Sequence, residues 1–72
     1  MGNNVRYYRE YHGLSQRQLA ARVGVTNTAI SAIERGAHIP SVLLALRIAR
    51  ALGVSVEILW GDDAGGQEAG KT

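Results

Sequence analysis

Residues 24–36 read GVTNTAISAIERG, and the outer face of the helix they encode is what needs explaining. Thr26 stands where a helix N-cap belongs, and Ala29, Ile30 and Ile33 recur with the period that buries one face. Gly36 supplies the left-handed residue that closes such a helix. An ordinary surface helix carries long charged side chains on its outer side. Here that side holds Asn27, Thr28, Ser31 and Ala32, with Arg35 at the far end. Side chains this short let a helix backbone come close to whatever it meets.

The preceding residues make a second helix that fits against the first. Ser15 is its cap and Gln18, three positions on, completes a capping box. Leu19, Ala20 and Val23 form its apolar face, and Gly24 ends it. Only Gly24 and Val25 separate this helix from the Thr26 cap, so the two helices must cross steeply. A large side chain at position 20 would collide with the second helix, and the residue there is Ala20. The turn needs a residue that tolerates positive φ, and Gly24 provides it. Ile30 plugs the angle between the helices, with Leu19, Val23, Val25 and Ile33 around it. These are the requirements of a helix-turn-helix.

Three more helices follow from caps and stops. One runs from about Asn4 to Tyr11, with Val5 and Tyr8 on one face, and stops at Gly13. Beyond the loop AHIP, Ser41 caps VLLALRIARAL, whose stripe is Val42, Ala45, Ile48, Ala49 and Leu52 and whose stop is Gly53. Ser55 caps a last short helix, VEILW. The expected fold is all-α, a compact five-helix domain over residues 1–60, followed by a flexible tail over 61–72. That tail, GDDAGGQEAGKT, has no apolar side chain larger than alanine.

Size and composition narrow the class further. The chain has 72 residues, so about sixty remain to fold, near the lower limit for one hydrophobic core. There is no cysteine, which excludes disulfides and thiolate metal sites, and no metal or other cofactor is expected. The start, MGNNVRYYREYHG, lacks the apolar centre of a signal peptide, and no apolar run approaches the roughly 20 residues of a membrane span. A cytoplasmic protein without a membrane partner is expected. Residues 1–60 carry seven arginines (6, 9, 17, 22, 35, 47, 50) against three glutamates (10, 34, 57), a balance of +4. The tail sets Lys71 against Asp62, Asp63 and Glu68, a balance of −2. A basic folded part whose positive charge is all arginine suits phosphate or guanine.

The stretch GLSQRQLAARVGVTNTAISAIERG, followed by IPS and LRIARALGVSVEILW, resembles the Cro/phage-repressor (Xre-like) helix-turn-helix family over roughly residues 4 to 60. The resemblance implies a five-helix, lambda-repressor-like domain that binds double-stranded DNA in the bacterial or phage cytoplasm, with its recognition helix in the major groove. It usually implies a homodimer on a near-palindromic operator. By the same resemblance Asn27, Thr28 and Ala32 occupy the base-contact positions, with Ser31 beside them. Asn27 has the donor and acceptor to read adenine, and the Ala32 methyl matches that of thymine. Gln16, at the start of its helix, is expected to touch a DNA phosphate and to brace Asn27. Arg17, Thr26 and Arg35 are the other phosphate candidates. Arg9 and Glu34 form a structural pair in some phage repressors, and here a partly buried pair is expected.

The sequence also departs from the family pattern. Tyr8 stands where leucine is usual, and the loop Ala37-His38-Ile39-Pro40 lacks the lysines that often grip phosphate. Leu43 and Ile58 are apolar where polar residues are common. Val56, Ile58 and Trp60 are therefore candidates for contact between two copies, although Trp60 equally suits closing the core. No arrangement of nucleophile and base suggests an enzyme, and Asp62-Asp63 has nothing to orient it. The favoured reading is a dimeric regulator, a repressor, since occluding a promoter needs no second contact surface. The alternatives are the antitoxin of a toxin–antitoxin pair, whose toxin-gripping segment the tail does not resemble, and the DNA-binding end of a longer regulator.

Overall fold

The helices begin and end where local chemistry dictates. In the computed structural model, which describes residues 2–61, α1 spans Val5–Tyr11, α2 Gln16–Val23, α3 Asn27–Glu34 and α4 Val42–Leu52. A fifth helical segment, α5, covers residues 56–61 and so takes in Gly61, one residue past the expected domain end. The rest of the expected tail lies outside the described residues. All regular structure among the described residues is helical.

The hydroxyls of Ser15, Thr26, Ser41 and Ser55 each accept a hydrogen bond from the backbone N–H three residues on. The capping box at Ser15 is complete, because the Gln18 side chain also accepts from the Ser15 N–H at 2.7 Å. Gly24 takes up φ +79° at the end of α2, the conformation the short turn requires. α1 differs. It starts at Val5, and the side chain of its cap residue Asn4 makes no capping hydrogen bond. The Asn4 amide instead donates to the Ile58 carbonyl at 2.8 Å, and the Asn4 N–H donates to the Leu59 carbonyl at 2.8 Å. Asn3 accepts from the Val5 N–H and donates to the Ile33 carbonyl at 2.8 Å. The first residues thus tie α3 and α5 together.

Val5, Leu19, Ile30, Ile33, Ile48, Leu52 and Leu59 are fully buried, and Ala20 fills the close approach of α2 and α3. Tyr8 packs on this core, whereas Tyr7 and Tyr11 are exposed. Tyr7 meets the edge of Tyr8 with ring centroids 4.9 Å apart.

One expected core residue is outside. Val42, placed by its period in the α4 stripe, is 78% exposed, while Ala45, Ile48, Ala49 and Leu52 are buried as the pattern requires. Val42 is the first residue after the Ser41 cap and sits at the edge of the stripe. Among the described residues no helix covers it.

Candidate nucleic-acid interface

α3 divides by face. Ile30 and Ile33 point into the core with no exposed surface, and the capped N-terminus fixes where the helix starts. At 100° per residue, Thr28, Ser31, Ala32 and Arg35 then fall on one outward stripe, with Asn27 at its edge. Asn27, Thr28 and Arg35 are exposed, and Ser31 and Ala32 are half-buried. Among the described residues, no hydrogen bond occupies the side chains of Asn27, Thr28 or Ser31. Their donors and acceptors are open to a partner. The Thr26 hydroxyl already accepts the cap bond from Ala29 at 3.1 Å, which leaves its O–H free to donate outward.

The anchor behind this face is ionic. Arg9 Nε lies 2.6 Å from Glu34 Oε2 and Arg9 Nη2 3.2 Å from Glu34 Oε1, a bidentate pair. Arg9 Nη1 also donates to the Leu14 carbonyl at 2.7 Å. The two side chains are only 10% and 4% exposed, so the pair is more deeply buried than expected. The hydrogen bond to Glu34 raises the Arg9 pKa above its ordinary value against the opposing effect of burial. The guanidinium therefore stays charged at any working pH.

Gln16 is placed differently from expectation. Its side-chain nitrogen donates to Glu34 Oε1 at 3.0 Å and makes no bond to Asn27. Arg17, beside it, is exposed. Arg6 pairs with Glu10 on the surface at 3.1 Å, whereas neither Arg17 nor Arg35 has a carboxylate within ion-pair distance among the described residues. Arg22, Arg47 and Arg50 line a separate open cleft with Gly24 at the far end of α2.

The three candidates for contact between copies do not share a face. Val56 and Trp60 line an apolar groove of about 310 Å³ together with Pro40, Val42, Ala45 and Leu46. Trp60 also packs on the core with its other side, so both roles considered for it are physically compatible. Ile58 is exposed and stands elsewhere on α5. The contribution of Val42 and Leu46 was not foreseen. Its only sequence signal is two apolar residues four apart on α4, one of them off the buried stripe.

Among the described residues no cluster of side chains suits a metal ion, and no helix is long and apolar enough to cross a membrane.

Two helices joined by a glycine turn, the second showing a short polar face, define a helix-turn-helix domain. The chain belongs to the Cro/C1-type helix-turn-helix family, a family of DNA-binding transcription regulators, whose model matches residues 5–59. It is 46% identical over 57 residues to an HTH-type transcriptional regulator of Methanocaldococcus jannaschii, covering 79% of this chain and 86% of that protein. The P22 c2 repressor, solved in complex with a synthetic operator, superposes with a TM-score of 0.76 at 35% identity, covering 82% of this chain and 91% of the other. The restriction-modification controller protein C.AhdI of Aeromonas hydrophila gives a TM-score of 0.74 at 32% identity, covering 79% and 86%.

Proposed function

We propose that this protein is a sequence-specific, double-stranded-DNA-binding transcriptional repressor that acts as a homodimer on a near-palindromic operator. The observation that carries the reading is the outward stripe of α3, where Asn27 and Thr28 are exposed, Ser31 is half-buried and none of the three side chains is hydrogen-bonded among the described residues, while its apolar side is locked in the core. A helix entering a groove about 12 Å wide needs that kind of face. Asn27, Thr28, Ser31 and Ala32 take the base-contact role. Gln16, Arg17, Thr26 and Arg35 flank them as phosphate contacts, and the two unpaired arginines supply the charge. A groove formed by Val42, Leu46, Val56 and Trp60 is the surface through which two copies meet, with their α3 helices about 34 Å apart. The protein acts in the cytoplasm, where the DNA is.

Selection of binding sites from random duplex DNA tests this, with the mass of the protein measured in solution alongside. A two-fold symmetric site together with a dimeric mass is the expected result. Absence of any sequence preference at about 0.1 M salt defeats it.

A further inference from the structure

We propose that Arg9 and Glu34, neither of which faces the groove, are positioning residues for DNA affinity, because their ion pair fixes the Gln16 carboxamide that meets a phosphate. The inference rests on the DNA-binding reading above. It starts from the Glu34 carboxylate, which is 4% exposed and receives three donors: Arg9 Nε at 2.6 Å, Arg9 Nη2 at 3.2 Å and Gln16 Nε2 at 3.0 Å. An ionised carboxylate only accepts, so the Gln16 amide has one permissible orientation, with its nitrogen inward. One of the two amide hydrogens is spent on Glu34. The second is left for an acceptor, and a hydrogen bond to a carboxylate makes the donor group better ordered than a free glutamine.

The three residues come from α1, the start of α2 and the last position of α3. Glu34 itself is held in place by Arg9, which is pinned by the Leu14 carbonyl at 2.7 Å. A glutamine side chain otherwise loses considerable rotamer freedom when it binds a partner. Here that freedom is already lost in the unbound protein. A purely structural ion pair would steady α3 without affecting what Gln16 contributes. The geometry links the two, because removing the carboxylate releases the amide.

A double-mutant cycle in DNA affinity reads the link directly. Binding is measured to one duplex of arbitrary sequence at low salt, since a phosphate contact does not depend on the operator. The proteins are wild type, Gln16→Ala, Glu34→Gln and the double variant, each checked by thermal melting to be folded at the assay temperature. Gln16→Ala is expected to weaken binding by about fivefold in the wild-type background and by less than about twofold alongside Glu34→Gln. Equal losses in both backgrounds overturn the inference, as does an unchanged affinity of Gln16→Ala. If Glu34→Gln is unfolded, the cycle is run with Glu34→Asp, which keeps the charge and draws the carboxylate back from Gln16. A wild-type protein that binds no duplex overturns the DNA-binding reading itself.

Discussion

Asn27 and Arg35 stand at the two ends of the same exposed face and answer to different tests. Asn27 has a donor and an acceptor with no partner among the described residues, so Asn27→Ala is expected to cost about 1–3 kcal/mol at one base pair of the selected site. Competition binding against single-base operator variants locates that position. Arg35→Ala is expected to weaken all sequences alike and to lower the salt slope by about one. A loss confined to one base pair contradicts the phosphate role. The position of these two residues on the outer face was legible in the sequence because a cap and a period place them without tertiary information. The partner of Gln16 was not. Which of two side chains an amide reaches depends on where α3 ends relative to α2, and only the fold brings Glu34, eighteen positions away, within 3.0 Å.

At the scale of single helices the caps and glycines were readable almost throughout, since each is a local bond between residues three apart. Gly24 gives a clean separation of causes. A Cβ there has its nearest contact at 3.9 Å, from Arg47 Nη1, so space is not the constraint. Gly24→Ala is nevertheless expected to cost about 1–2 kcal/mol, from the positive φ alone, in denaturant unfolding. Glu34→Ala leaves Arg9 buried without its carboxylate and is expected to cost about 3–5 kcal/mol in the same measurement. A loss below about 1 kcal/mol shows that the pair does not anchor α3. The Arg9 pKa is raised in the folded state, so its contribution is full at neutral pH and is lost only above the strongly alkaline range. The one residue that escaped the periodic reading, Val42, sits in the first turn of α4, where being in phase with a stripe does not ensure that another helix covers it.

For the molecule as a whole, five short helices around a core of aliphatic side chains could be read from the sequence, and the groove beside Trp60 could not. The groove needs α5 to lie against the start of α4, a placement that no spacing within either helix reveals. Leu46 is 41% exposed on its rim, so Leu46→Glu should leave folding within about 0.5 kcal/mol of wild type. If two copies meet there, the same substitution lowers the mass in solution to that of one chain and weakens operator binding. A dimeric Leu46→Glu protein places the contact between copies elsewhere.

The bonds from Asn3 and Asn4 to α3 and α5 bear on how the protein is made. The Asn4 side chain reaches the carbonyl of a residue 54 positions later, and its N–H reaches Leu59. Ribosomes deliver a chain from its N-terminus at about 5–20 residues per second, so Asn4 emerges well before the α5 carbonyls it bonds. α2 and α3 can pair as soon as both are out. The N-terminal segment must wait until α5 has cleared the exit tunnel, and during that interval the Leu59 site in the core has nothing to fill it. A stall in translation before α5 is out would therefore leave an incompletely closed domain, with α3 formed and its tether to α5 still open.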